Sequence, residues 1–298
     1  IPLRLVGSEM CIRDRADRGA QGHRHRVHAE ARTASDEPPG RVTHPYFEKA
    51  AHPRVLAHRG LITTAGGDSG VWENSAAAFA AAHAAGAEYI ETDCRMTADG
   101  DVILFHDATL QRLVGDPRPV RDVRTRELAA IFADHGGLLT VAEALSAFPT
   151  TRFNIDVKTT EAAEPLGPIL EDHTHRVLVT SFSDSDRRAT IASVLRAGAA
   201  LRPATSGGSR TIAAVRALSA VRVSPGRALR DIDVLQIPER HRGVKVLTPP
   251  LISAAHRRGV EVHVWTVNDA DSMRRLVDAG VDGIVTDSAD LALATIGR

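Results

Sequence analysis

Two short stretches of this 298-residue chain place acids at alternate positions. In Tyr89-Ile90-Glu91-Thr92-Asp93-Cys94, Glu91 and Asp93 fall on one side of an extended strand. In Phe153-Asn154-Ile155-Asp156-Val157-Lys158, the polar residues Asn154, Asp156 and Lys158 share one side and the apolar residues the other. Three carboxylates brought together repel one another and lose hydration, so they either take up protons or bind a cation. An all-oxygen donor set favours Mg²⁺ or Ca²⁺ over Zn²⁺. The competing reading is a salt-bridge network in which Arg59 and Lys158 neutralise the acids. Two histidines tip the balance toward chemistry: His58 ends Leu56-Ala57-His58-Arg59-Gly60, and His106 ends Leu104-Phe105-His106. A pKa of about 6.5 suits imidazoles to acid–base work at neutral pH. The chain has 14 histidines, so it is position at strand ends beside the carboxylates that singles these two out.

Side chains so far apart in sequence need a scaffold that returns to one place. Strand-like runs occur at Val55–His58, Tyr89–Met96, Val102–His106, Arg152–Lys158, Val177–Phe182, Ala200–Ala204, Val234–Ile237, Val260–Val267 and Gly283–Thr286. Helical patterns lie between most of them, at Asn74–Ala85, Val141–Phe148, Asp186–Ala197, Thr211–Ser219, Pro250–Arg258 and Ala270–Ala279. Several stop at a glycine (Gly86, Gly198, Gly259, Gly280), as helix C-termini prefer. Such alternation predicts a parallel sheet. Only Thr97-Ala98-Asp99-Gly100-Asp101 separates the second run from the third, too short for a parallel crossover and suited to a hairpin. Eight parallel strands remain, and the expected fold is an α/β TIM (β/α)8 barrel. Its lumen takes the polar faces near the C-terminal mouth, where such barrels keep their active sites. Cys94 then faces the helix layer as core.

Composition bounds the alternatives. With 43% hydrophobic and 25% charged residues the chain is globular, and its formal net charge of +0 gives no long-range attraction to nucleic acid or anionic lipid. Two cysteines are too few for a secreted disulfide framework and fit a reducing compartment. Lysine occurs only at 49, 158 and 245, so a lysine inside a strand asks for a reason. No apolar run approaches the roughly 20 residues of a membrane span. Residues 1–42 are Arg- and His-rich without apolar periodicity. Leu5 to Arg15 resembles translated adapter sequence, and the segment is expected to be a disordered or non-native tail. Residues 43–298, close to the length of one barrel, form the expected catalytic domain. With no secretory leader visible the expected location is the cytoplasm, and since the chain opens on Ile its natural start is expected to lie elsewhere.

In order along the chain, His58-Arg59-Gly60, Glu73-Asn74-Ser75, Ile90-Glu91-Thr92-Asp93, Thr97-Ala98-Asp99-Gly100, His106-Asp107 and Leu110-Gln111-Arg112 resemble the motifs of the glycerophosphodiester phosphodiesterases. Ile155-Asp156-Val157-Lys158, Ser181-Phe182, Trp265-Thr266-Val267-Asn268 and Gly283-Ile284-Val285-Thr286-Asp287 continue the match to about residue 290. Any one motif is weak; the ordered set is specific. The resemblance implies hydrolysis of a small-molecule glycerophosphodiester to glycerol 3-phosphate and an alcohol. His58 and His106 would be the acid–base pair, Glu91, Asp93 and Asp156 the cation ligands, and Arg59 and Lys158 the phosphate holders. In this family the glycerol 2-hydroxyl is thought to attack phosphorus, and water then opens the cyclic phosphate. Asp156 departs from the family's usual glutamate by one methylene. Trp265 would line the glycerol pocket, with a packed core tryptophan as the alternative. Glu73 and Asn74 would anchor their loop and cap its helix. Asp107–Leu138 resembles a small cap-like insertion, and the long 61–72 loop either shapes the leaving-group pocket or is a surface insertion. The rivals are a sphingomyelinase-D-like or lysophospholipase-D-like barrel and a non-catalytic phosphate-binding barrel. Neither nucleic-acid binding nor stable membrane insertion is expected, and the oligomeric state is left open.

Overall fold

The computed structural model describes residues 44–297, so the expectation for the 1–42 tail lies outside the described residues. Eleven strands are β1 (Arg54–His58), β2 (Tyr89–Met96), β3 (Val102–Leu104), β4 (Arg152–Val157), β5 (Val177–Thr180), β6 (Ala204–Thr205), β7 (Val234–Pro238), β8 (Arg240–His241), β9 (Val244–Lys245), β10 (Glu261–Trp265) and β11 (Gly283–Thr286). Eight of them pair side by side in parallel, in the ring order β1-β2-β4-β5-β6-β7-β10-β11 and back to β1. A single parallel bridge, Ser206 to Val234, links β6 to β7 and nearly closes the ring. The (β/α)8 barrel is the observed architecture. As the five-residue link requires, β3 folds back antiparallel on β2, pairing Cys94 with Leu104 and Met96 with Val102.

Alternation along each strand sorts two cores. Val55, Ala57, Ile90, Phe153, Ile155, Val157, Val177 and Val179 point outward and pack under the helices with Phe79, Leu166 and Leu251. Cys94 is buried among them. The opposite faces supply a lumen core of Leu56, Leu178, Ala204, Val234 and Val285, stoppered at the strands' N-terminal end by Tyr46, Phe47 and Tyr89. The helices run close to their expected limits and end where positive-φ glycines (86, 198, 259 and 280) turn the chain.

Several features depart from the sequence reading. The weak run at Ala200–Ala204 is shifted to Ala204–Thr205, because Leu201 stays exposed as the chain approaches the barrel. A two-stranded hairpin, β8–β9, stands at the C-terminal mouth. A further helix, Ala289–Ile296, covers β1 and β11. Residues 107–138 carry a small core of their own, built from Leu110, Val120, Val123, Leu128 and Phe132 with Ile103 and Phe105. The 61–72 loop leans on that core: Trp72 stacks on His135 at 3.7 Å and meets Phe132 edge-on. Among the described residues no helix is long and apolar enough to cross a membrane.

Candidate active site

Strand register brings the chemical residues together. His58 lies beside Glu91, Glu91 beside Asn154, and Asp93 beside Asp156 across neighbouring strands. These parities all face the lumen near the C-terminal mouth. The return of β3 puts Phe105 N–H on the Asp93 carbonyl, which sets His106 at the same level. They line one cavity of about 430 Å³ together with Arg59, Lys158, Thr180, Phe182, Gln236 and Trp265. All eight residues singled out from the sequence (His58, Arg59, Glu91, Asp93, His106, Asp156, Lys158 and Trp265) line it. No residue from 61–72 or 107–138 does, so neither the long loop nor the insertion forms its wall.

The acids are interlocked with cations. Lys158 Nζ reaches Asp93 Oδ1 at 2.8 Å and Asp156 Oδ2 at 2.6 Å, while Arg59 pairs with Asp93 at 3.0 Å and with Glu73 at 2.9 Å. Burial pushes the Asp93 carboxyl up, but Lys158 and Arg59 together hold it below the usual carboxylate range. Glu91 has no lysine or arginine paired to it: burial and the neighbouring Asp93 charge push it up to about 8, against the pull of His58. Asp156 is raised as well, burial and the Asp93 charge outweighing Lys158. Glu91 Oε2, Asp156 Oδ1 and Asn154 Oδ1 are buried without a hydrogen-bond partner. Hard oxygen donors left in that condition suit Mg²⁺ or Ca²⁺. Among the described residues no three His, Cys, Asp or Glu side chains stand close enough about one point to hold an ion as they are. Joint coordination by Glu91, Asp93 and Asp156 therefore asks Lys158 to release at least one of its two acids.

Each histidine is oriented by a carboxylate. His58 Nδ1 and Asp287 Oδ1 are 2.6 Å apart, and His58 Nε2 lies 3.9 Å from Glu91. Burial alone would lower the His58 pKa; the Asp287 hydrogen bond and the Glu91 charge outweigh it, and the net shift is upward. His106 Nδ1 is likewise 2.6 Å from Asp107, which Arg112 holds from the other side. With Nδ1 committed in both rings, Nε2 is the nitrogen left to exchange protons. Sequence reasoning quoted Asp287 and Asp107 as motif members and gave them no role. Glu73 is not a cap: it binds Arg59 and Arg112. Nor is Asn74, because the helix starts later and Ser75 caps it. Asn74 instead donates to Asp93 at 3.4 Å and accepts from Thr92 at 2.7 Å. Lys158 and Trp265 both meet Phe182, the first by a cation–π approach at 5.4 Å and the second edge-to-face at 5.9 Å.

Residues 58–291 match the model of the glycerophosphoryl diester phosphodiesterase family. A probable glycerophosphodiester phosphodiesterase of Mycobacterium tuberculosis is 38% identical over 247 residues, covering 80% of this chain and 88% of its own length. A glycerophosphodiester phosphodiesterase of Caldanaerobacter subterraneus is 25% identical over 264 residues, covering 82% of this chain and 98% of its own. Among solved structures, an Oleispira antarctica phosphodiesterase in complex with the product sn-glycerol-3-phosphate superposes with a TM-score of 0.63 at 19% identity. That likeness, over 83% of this chain and 98% of the other, is one of fold.

Proposed function

The chain belongs to the glycerophosphoryl diester phosphodiesterase family and is a phosphodiester hydrolase; from that premise we propose that its cavity cleaves glycerophosphodiesters by proton exchange between His58 and His106. The observation that carries this is the matched pair of imidazoles, each fixed at Nδ1 by a carboxylate 2.6 Å away, lining one cavity with two cations that can receive a phosphate, Arg59 and Lys158. Arg59 and Lys158 hold the phosphoryl oxygens by charge-assisted hydrogen bonds. One imidazole removes the proton of the glycerol 2-hydroxyl as that oxygen bonds to phosphorus, and the other protonates the departing alkoxide. Reversal of the two roles lets water open the cyclic phosphate, releasing glycerol 3-phosphate. A divalent cation held by Glu91, Asp93 and Asp156 would add positive charge at the phosphate oxygens and offset the burial and repulsion that keep Glu91 raised.

The test is release of glycerol 3-phosphate from glycerophosphocholine by the purified protein. Activity is expected to vanish with chelator and return with Mg²⁺ or Ca²⁺. His58→Ala and His106→Ala are each expected to lose about a hundredfold or more in kcat. Full activity in either variant overturns the proton-exchange mechanism, and full activity in chelator overturns the cation.

A further inference from the structure

The cavity has two unlike walls. On the β1–β2–β4 side stand Glu91 and, paired among themselves, Arg59, Asp93, Asp156 and Lys158. The wall rising from β5, β6, β7 and β10 is lined by Phe182, Ile212, Pro238, Val246 and Trp265, and its one permanent charge is Arg216. Arg216 lies on the helix Ser209–Ala220, and its Nε donates to the Lys245 carbonyl of the β8–β9 hairpin at 3.2 Å. Among the described residues it forms no ion pair with a carboxylate. Glu239, the acid beside that hairpin, is taken by Arg275 at 3.1 and 2.9 Å. The hairpin's other charges, Arg240, Arg242 and Lys245, are all positive. Since β6 stands four places round the ring from β1, the helix that carries Arg216 follows a strand across the barrel from the one that ends at Arg59, and both residues line the same cavity.

The substrate's two ends differ as the walls do. Glycerol is small and brings hydroxyls that both donate and accept; the deep floor offers an unpartnered acceptor, Asn154 Oδ1, and an unpartnered donor, Gln236 Nε2. The open outer wall is left for the alcohol. We propose that Arg216 makes this wall selective for glycerophosphodiesters whose leaving alcohol carries an acidic group. The inference rests on the phosphodiesterase reading above and names its substrate class. The guanidinium keeps four N–H donors beyond the one given to Lys245, and the apolar surroundings strengthen its attraction for an anion.

Glycerophosphoserine and glycerophosphoethanolamine form the matched test, because both leaving groups keep an ammonium and differ by one carboxylate. The wild-type enzyme is expected to favour the serine substrate in kcat/KM by about tenfold, through KM rather than kcat. In Arg216→Ala the ratio is expected to fall to near one, and in Arg216→Lys part of it to survive; a thermal melt of each variant reports its folding. Equal use of the two substrates by the wild type, or a ratio that Arg216→Ala leaves intact, overturns the assignment. Cleavage without preference removes this inference alone. Inertness toward both, and toward glycerophosphocholine as well, removes the phosphodiesterase reading with it.

Discussion

Both imidazoles in the mouth take their orientation from carboxylates on neighbouring loops, and the two arrangements have different origins. Asp107 follows His106 directly, and Arg112 five residues on braces it. Asp287 is 229 residues from His58 and meets it because β1 pairs with β11, Ala57 beside Thr286. Asn268 completes the arrangement by donating to Asp287 Oδ2 at 2.7 Å while accepting from the Asp287 backbone N–H. Removing the Asp287 charge while keeping its shape isolates its effect. In Asp287→Asn the His58 imidazole loses a partner that raises its pKa, so its NMR titration is expected to move to lower pH than in the wild type. Activity is expected to fall about tenfold or more as the ring loses its fixed tautomer. An unmoved titration would show that Asp287 only packs against the ring. Sequence motifs marked Asp287 but could not assign it, because its role exists only once the barrel has closed between its first and last strands.

The turn that follows β1 shows how an element, not a side chain, sets the site's precision. Arg59 and Gly60 both have positive φ; Arg59 N–H bonds to the Glu91 carbonyl, and Asn74 N–H bonds back to the Arg59 carbonyl. This straps the turn to β2 on one side and to the start of the helix Ala76–Ala84 on the other. At Gly60, with φ of 92°, an added Cβ would lie 2.8 Å from the Ala78 backbone carbon and oxygen. Gly60→Ala must therefore strain the turn and push the helix away. It is expected to cost about 1–3 kcal/mol of stability by denaturant melt, and to lower kcat because Arg59 and His58 move with the turn. A variant as stable and active as the wild type would show that the turn is not held this tightly. Elements with strong periodicity, such as β2 and β4, were readable from sequence because one-sided burial leaves alternation behind. The β8–β9 hairpin was not: its strands have two residues each, all exposed, so no alternation marks them. Only the Arg242-Gly243 turn, with both φ positive, left a trace, and one Gly among 23 is too common to stand out. Arg216 was invisible for a related reason, being one arginine among 34 until the fold showed which of them line the cavity.

At the scale of the molecule, the mouth of the barrel gathers acids that disturb one another, whereas two carboxylates at the other end are each met by several partners. Arg54 binds Glu261 through two bonds of 2.7 and 2.8 Å and also the Tyr89 hydroxyl at 3.0 Å, and Glu261 accepts from His263 at 2.9 Å. Asp282 is met by His256 at 2.6 Å, His52 at 3.4 Å and the Val262 N–H at 2.8 Å. Burial works against both carboxylates, yet these partners hold each below its ordinary pKa. A carboxylate with a depressed folded pKa contributes stability above its unfolded value of about 4 and loses it as pH falls further. The stability contributed by these two carboxylates is thus expected to hold between pH 7 and 5 and to be lost below about pH 4. Asp282→Asn should melt lower than the wild type at pH 7, by a margin that shrinks in acid. A margin that stays constant with pH would show that Asp282 contributes packing and not charge.

The same end of the barrel bears on traffic. Tyr46 and Phe47 are buried beneath the lumen core, so the chamber is a cul-de-sac with its doorway at the C-terminal rim. Whatever enters first leaves last. On the proposed mechanism, a diester that goes in glycerol end foremost gives up its alcohol at the threshold while the cyclic phosphate stays at the back, and the next substrate must wait until water has opened it and glycerol 3-phosphate has left. Turnover is then expected to be paced by evacuation of the inner product, and added glycerol 3-phosphate should compete with substrate for the vacant chamber.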